Sequence, residues 1–404
     1  MSDPCIVIDV SKGESHFQAF LDLNVPFCKV QRIFHTVDGF TKVKNCFEAL
    51  KRLTSEEALV VFEYTGIYHK TLEAFLKMND MAYQMVSPLR SAKSRNTLIH
   101  SVKTDKHDPG VLAHMYYTRN LGVFYLETPL YADLRALNRQ YETNKYHLQK
   151  IEVNFNEILD IIYPNIKSQF SDLLAASTRS FLRKCPHPAF LIRFSCDEVA
   201  ASLKERTNHS DHYCLAKADE LHAYALTLIP GCLADSVVVS FLLDLLDQLD
   251  LYLSKQQKLE LRIIEMAKQT EYYQVLISFP GIGPNLASRI VAETGDFKRF
   301  RNHSQLTAYA GTDPIVWQSG KMTGEHLHIS KRGNKRLRTL LFLVVRSMVR
   351  KNVADNAIRN FYKQKKAQPN VPPKVALTAC INKLLRIILP LCKNKELFLY
   401  TPTV

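Results

Sequence analysis

No two cysteines in this chain stand at a metal-ligand or redox spacing. The nine occur singly, at Cys5, Cys28, Cys46, Cys185, Cys196, Cys214, Cys232, Cys380 and Cys392, with no CxxC and no Cys/His ligand pattern, so the expectation is reduced, mostly buried thiols. Also missing is a charged N-terminal segment followed by a long apolar run, and no apolar stretch is read as reaching the ~18 residues that a membrane span requires. A cytoplasmic protein with no membrane partner is the expectation. Acids are scarce at the C-terminal end. Residues 319–404 hold 18 Lys and Arg against 3 Asp and Glu, while the rest of the chain carries 35 and 36. The basic excess therefore belongs to one region, and a polyanion is the partner it suggests.

At 404 residues the chain is too long for one ordinary core, and two or three domains are expected. Residues 5–130 alternate short apolar runs with helical stretches, an α/β pattern with a mixed sheet. Asp9 ends the run Cys5-Ile6-Val7-Ile8, and Glu63 ends Ala58-Leu59-Val60-Val61-Phe62, so each acid follows a segment that reads as a buried strand. Asp105 and Asp108 open a helical stretch that continues through Val111, Leu112 and Met115. Strand ends facing a helix start bring four carboxylates together. Such a cluster repels itself unless cations occupy it, and hard oxygen ligands suit Mg²⁺ or Mn²⁺.

Two long helical seams follow. Leu134, Leu137, Tyr141, Asn144, Leu148, Ile151, Phe155, Ile158 and Ile162 alternate three and four apart, as do Leu242, Leu245, Leu249, Tyr252, Gln256, Leu259, Ile263 and Met266. Each has one strongly polar member, Asn144 or Gln256. This spacing fits an antiparallel pair, a dimer interface or an ordinary helical core. Residues 163–231 between the seams say nothing about chemistry.

From about residue 271 the character changes. Phe279-Pro280-Gly281-Ile282-Gly283-Pro284 reads as a tight glycine turn between helices, a helix-hairpin-helix-like element whose backbone N–H groups, Gly281 and Gly283 among them, suit a phosphate. Then come AYAGTDP, Gln318-Ser319-Gly320 and the basic run that includes Lys331, Arg332, Lys335, Arg336 and Arg338, suited to sugar-phosphate contacts. A second cluster, Lys363-Gln364-Lys365-Lys366 before Pro369, reads as a solvated loop, and residues 375–391 as a packing helix. No Ser/His/Asp spacing surrounds Ser319; His326 and His328 are its nearest histidines in sequence.

Asp9 in IDVSK, Glu63 in EYTGIY, Asp105 and Asp108 in KTDKHD, and then PGIG, AYAGTDP, QSG and ISKRGNKRLR form an ordered series. In that series the chain resembles the DEDD-type transposases of bacterial insertion sequences related to the Piv and MooV invertases, recombinases described as bridge-RNA-guided. The resemblance covers the first ~125 residues and roughly 276–340.

It implies a RuvC-like (RNase H-like) α/β domain over residues 1–130, a central long-helix coiled coil for assembly over 131–270, and a mainly α C-terminal transposase domain over 271–404. It implies divalent metal, Mg²⁺ or Mn²⁺, held by Asp9, Glu63, Asp105 and Asp108. It also implies a nucleophilic Ser319, nucleic-acid contacts that include Lys103, donor and target DNA as substrates, and a noncoding bridge RNA as guide. A homo-oligomer, a dimer or a synaptic tetramer, associated with the bacterial nucleoid when bound to DNA, completes the expectation. One departure stands out: the family usually follows its last acid with alanine, and here Pro109 follows Asp108, at a position suited to the first turn of a helix. The residues alone leave open a metal-dependent nuclease that never uses Ser319, an RNA-independent invertase, and a non-catalytic nucleic-acid scaffold.

Overall fold

The computed structural model describes residues 3–64, 66–97, 108–122, 127–205, 207–315, 318–319, 322–323 and 328–399. The chain divides into two units, Met1–Leu126 and Glu127–Val404.

The first unit is built on a mixed sheet. Strands β1 (Cys5–Val10), β2 (Glu14–Asp22), β3 (Val25–Pro26) and β4 (Gln31–Phe34) precede helix α1 (Val37–Thr54); β5 (Leu59–Glu63), α2 (His69–Met78), β6 (Tyr83–Val86), α3 (Pro88–Thr97) and α4 (Asp108–Tyr117) follow. The order is β3-β2-β1-β5-β6, with β4 also on β2. β1 and β2 are antiparallel, whereas β1, β5 and β6 are mutually parallel. Alternation along each strand sends side chains to two faces. Ile6, Ile8, Val10, Val60 and Phe62 pack with Val43, Phe47 and Leu50 of α1 and Leu72 and Leu76 of α2. Cys5, Val7, Phe20, Val61 and Val86 pack on the other face with Val111, Leu112 and Met115 of α4. A buried parallel strand pair needs apolar residues on both faces, which is why β1 and β5 read as near-continuous apolar runs.

The second unit is organised by two long helices, α5 (Pro129–Ile162) and α10 (Val237–Lys268). They lie antiparallel, because the start of α5 shares a core with the end of α10 and the end of α5 with the start of α10. The seam residues of α5 from Leu134 to Phe155 are buried along this contact, Asn144 included. The pairing is thus within one chain.

Helices α6 (Ala176–Lys184), α7 (Pro188–Arg193), α8 (Cys196–Lys204) and α9 (Asp211–Leu226) fill the excursion between the long helices. A capping box made by Ser195 and Glu198 starts α8. Arg179 and Arg183 tie α6 to α10 through Asp250, at 2.7 and 2.9 Å.

The C-terminal part comprises α11 (Tyr273–Ile277), α12 (Pro284–Thr294), α13 (His303–Ala310), the short strands β7 (Gln318–Ser319) and β8 (Met322–Thr323), α14 (Lys335–Met348), α15 (Ala357–Lys366) and α16 (Pro373–Asn394). It shares one continuous core with the base of the long helix pair, from Tyr131 and Leu134 to Leu389 and Cys392. The helical and C-terminal regions, taken separately in the sequence, therefore meet in one hydrophobic interior. Among the described residues α16 alone is long and apolar enough to cross a membrane by length and hydropathy. Its apolar side is spent in the core: Cys380, Ile381, Leu384, Leu385 and Ile388 are buried there, as expected of a packing helix. The cluster Lys363 to Lys366 departs from the solvated-loop reading. It is the last turn of α15, started by Asn356, whose side chain accepts from the N–H groups of Ile358 and Arg359. Cations at a helix C-terminus are favoured by the macrodipole.

Candidate active site and nucleic-acid surface

Asp9 and Glu63 are brought together by strand register. β1 and β5 run in parallel from Cys5 beside Leu59 to Ile8 beside Phe62. One residue further, the same register sets Asp9 alongside Glu63 at the carboxyl ends of neighbouring strands. Parity decides the face: Asp9 shares its side of β1 with Cys5 and Val7, and Glu63 shares its side of β5 with Val61, all on the face covered by α4. Both carboxylates are partly buried. Glu63 accepts a hydrogen bond from the Ser91 hydroxyl on α3.

Helix α4 begins at Asp108 and covers the face on which Asp9 and Glu63 lie. At its far end the Tyr117 hydroxyl donates to the Phe20 carbonyl at 3.3 Å, and Phe20 pairs with Cys5 at the start of β1. Nine residues of helix back to Asp108 and four residues of strand from Cys5 to Asp9 both cover about 13 Å, at ~1.5 and ~3.3 Å per residue. Asp108 thus lies about as far from Tyr117 along α4 as Asp9 lies from Cys5 along β1. It stands one turn before Leu112 and two before Met115, both buried against this face. Pro109 sits in the first turn of α4, where its missing N–H costs no helical bond. Asp105 and Lys103 lie outside the described residues, and only the backbone of Asp108 is described.

Among the described residues no group of three or more His, Cys, Asp or Glu is placed to hold a metal ion. Asp9 and Glu63 supply the described part of the expected set, and paired carboxylates at adjacent strand ends are the hard-oxygen donors a divalent cation such as Mg²⁺ takes. His16 was not singled out in the sequence. It lies directly across from Asp9 on β2, so it shares the acid face, and its Nδ1 is buried without a hydrogen-bond partner among the described residues. The alternation of β2 was the signal that placed it there.

Ser319 ends β7 and pairs with Met322 of β8 in an antiparallel hairpin; its side chain is outside the description. Nearer the body of the unit, Pro314 bridges Ile329 in the same sense. There the Ser330 N–H donates to the Asp313 carbonyl at 2.8 Å and the Ser330 hydroxyl to the Asp313 carboxylate at 2.6 Å. His328 is exposed and supplies its carbonyl to Ile315; His326 lies outside the described residues.

The glycine turn joins α11 to α12. Gly281 has φ +85° and sits against Ser347 and Met348 at the end of α14, so a side chain there meets both backbone strain and crowding. Gly283 is exposed and forms the N-cap of α12, with Pro284 in the first position. The N-terminal end of an 11-residue helix thus faces solvent.

Lys331, Arg332, Lys335 and Arg336 are exposed. Arg338 is half-buried and donates to the Ala310 carbonyl at 2.8 Å, which commits one of its nitrogens to closing α13. The run is held by a buried polar network that the sequence did not disclose. The Glu293 carboxylate accepts from Asn138 of α5 and from Asn334, each at 2.7 Å. Asn334 in turn caps α14, accepting from the N–H groups of Arg336 and Leu337. Arg289 donates to Asn138 at 3.0 Å, pairs with Glu142 and stacks over the Tyr141 ring at 4.5 Å. Burial lowers the Arg289 pKa, a cost opposed by Tyr141 and Glu293. Gly333 lies with its backbone against Tyr309 and Gly311, which joins the AYAGTDP and SKRGNKR motifs without room for side chains.

Comparison with known proteins finds family matches over two separate segments. Residues 6–164 match the model of a transposase family with the DEDD acids, and residues 273–363 match that of the transposase IS116/IS110/IS902 family. The mini-circle putative transposase for IS117 of Streptomyces coelicolor is 27% identical over 322 residues, 76% of this chain and 75% of that one. An uncharacterized protein of insertion element IS116 from Streptomyces clavuligerus is 24% identical over 75% of this chain and 74% of its own length. The transposase for insertion sequence element IS1111A of Coxiella burnetii is 40% identical over 92 residues, 22% of this chain and 25% of that protein. Domains of the DEDD type generally use a divalent metal, in keeping with the paired carboxylates. The chain is a DEDD transposase of the IS110/IS116 insertion-sequence family, an enzyme that cuts and rejoins DNA.

Proposed function

We propose that the protein is a site-specific recombinase of its insertion sequence that exchanges strands through a covalent serine–DNA intermediate, guided by a noncoding bridge RNA that pairs with donor and target. The observation that carries the reading is the register that aligns Asp9 with Glu63 on the face beneath α4. Asp9, Glu63, Asp105 and Asp108 hold Mg²⁺ or Mn²⁺, which when bound neutralises charge on the scissile phosphate and favours the ionised nucleophile. The Ser319 oxygen attacks phosphorus, a phosphoserine ester forms, and the 3′ oxygen leaves as a hydroxyl carrying a proton. Attack by the 3′ hydroxyl of another strand reverses the step and releases Ser319. Energy of the phosphodiester is conserved throughout.

The exposed cations Lys331, Arg332, Lys335 and Arg336, together with Lys103, the remaining donors of Arg338, and the Gly281–Gly283 turn, contact sugar-phosphate and position the strands without reading sequence. Sequence choice then falls to base pairing with the guide. The long helix pair acts as a coiled coil for assembly into a dimer and a synaptic tetramer.

The decisive experiment incubates Ser319→Ala and the unaltered protein with supercoiled donor DNA and Mg²⁺, followed by denaturing electrophoresis. A denaturation-resistant adduct is expected only with serine, while DNA binding persists in both. Adduct formation at the normal level by Ser319→Ala overturns the serine role. Sequencing RNA that copurifies with the protein checks the guide, and its expected result is one discrete structured species.

A further inference from the structure

Helix α10 carries a second heptad line, separate from the seam that meets α5. The seam is buried, through Leu242, Leu249, Leu259 and Ile263, whereas the residues that alternate four and three apart from Val237 to Glu265 are exposed at every position. Three of them are large and apolar: Val237, Phe241 and Leu251 are 63%, 51% and 65% exposed. One such residue is ordinary on a protein surface, but several on one line of one helix mark a contact.

Charge on this line is sorted by sign. Asp244 stands in the first half of α10 and Lys255, Lys258 and Arg262 in the second, with Glu265 near the end as the exception. Asp244 and Lys258 have no ion-pair partner among the described residues. The helix macrodipole favours the same order but acts only within the terminal turns, and Asp244 lies two turns in while Lys258 is nearly three turns from the end. Leu251 is midway between them, seven residues from each. Residues seven apart fall on one line of a coiled-coil helix, so the three face one way.

We propose that this face docks on the same face of a second copy of the chain, antiparallel and related by a two-fold axis at Leu251, so that Asp244 of each copy meets Lys258 of the other. The inference rests on the reading that the helix pair assembles subunits, and adds the face, the partner and the register. A parallel pairing sets Asp244 on Asp244 and Lys258 on Lys258, and like charge opposes it. The antiparallel pairing instead brings Leu251 against itself on the axis and sets Phe241 level with the second copy's Arg262, within the range of a cation–π contact. With α5 behind each α10, four helices then form one layer. Such a contact uses one patch on both copies and closes at two, so it does not propagate into a filament.

The test uses the full chain in sedimentation equilibrium, where the unaltered protein is expected to dimerise. Asp244→Lys and Lys258→Asp are each expected to weaken the dimer by roughly tenfold, since each turns two attractions into repulsions. Together in one chain they are expected to restore it to within about threefold, because the signs are exchanged and complementarity returns. Leu251→Cys is expected to give, on mild oxidation, a reducible cross-link that joins two copies through position 251, located by mass spectrometry. A dimer that neither single substitution weakens, a double variant as weak as the singles, or no cross-link through position 251 overturns this face and register while leaving assembly by another surface intact. A monomer at every concentration overturns both this inference and the assembly reading beneath it.

Discussion

Asn144 and Gln256, the one strongly polar member of each helical seam, hydrogen-bond to each other at 2.7 Å. The pairing fixes the register of α5 on α10, because a one-turn slip leaves two amides facing leucine. Asn144 also donates to the Tyr252 carbonyl, but its own carbonyl oxygen is buried without a partner among the described residues, so the arrangement is not optimal for stability. Asn144→Leu is expected to destabilise by about 1 kcal/mol through the stranded Gln256, and Asn144→Leu with Gln256→Leu to recover the loss. Urea unfolding of the double-mutant cycle checks this, with an expected coupling of about 1 kcal/mol or more.

The acids answer to a different measurement. Asp9→Asn and Glu63→Gln keep the shape of the strand ends and remove the charge that a divalent cation requires. Strand cleavage is expected to fall by roughly a thousandfold, since metal assistance is worth several kcal/mol, with the thermal midpoint equal to or above that of the unaltered protein. Unchanged cleavage in Mg²⁺ refutes the assignment.

Asn334 serves two masters, capping α14 and bonding Glu293. Its replacement by alanine is expected to cost about 1 kcal/mol for the cap and a further ~1–3 kcal/mol for the Glu293 Oε2 that loses its donor, while Asn138 still serves Oε1. Adding Glu293→Gln is expected to return part of the second cost, because a neutral amide is cheaper to bury. DNA affinity is expected to fall with Asn334→Ala as well, since Lys335 and Arg336 open the helix that Asn334 starts. Chemical unfolding and a salt titration of DNA binding measure the two effects separately.

Acid stability is linked to Glu271. Hydrogen bonds from Lys298 and Lys395 hold its carboxyl down at about 2. A folded pKa below the unfolded value means that the group stabilises the protein fully above about 4.5 and loses that contribution as pH falls towards 2. Glu271→Gln is therefore expected to lower stability at pH 7 and to flatten the acid limb of the unfolding profile between those values. A parallel acid limb in both proteins argues against the linkage.

The fold was legible where a local pattern carried it. Apolar runs ending at Asp9 and Glu63 gave β1 and β5, and spacing gave α5 and α10 nearly to their ends. The strand register that aligns the two acids was not legible, because register is a relation between segments. His16 escaped for the same reason. Residues 163–231 carried no readable chemistry, yet they form four helices around one core, since burial there is shared among short elements that lack a long period. Lys363 to Lys366 read as loop by charge, whereas the helix signal lay upstream in the cap at Asn356. The network of Asn138, Arg289, Glu293 and Asn334 joins residues far apart in sequence and has no local signature. Polar residues are common everywhere, and only the fold shows which are buried.

The antiparallel return of α10 along α5 also governs the order in which the protein can be completed during synthesis. The core at the base of the pair takes its first side chains from Tyr131 and Leu134 and its last from Leu389 and Cys392. The apolar stripe on the first turns of α5 must wait on the ribosome for α10 and α12, which pack on it, while the excursion from α6 to α9 can close around its own core first. Loss of α16 by premature termination uncovers the faces of α11, α13, α14 and α15 that pack on it, so a truncated transposase is expected to be a target for chaperones and proteases and not a partly active enzyme.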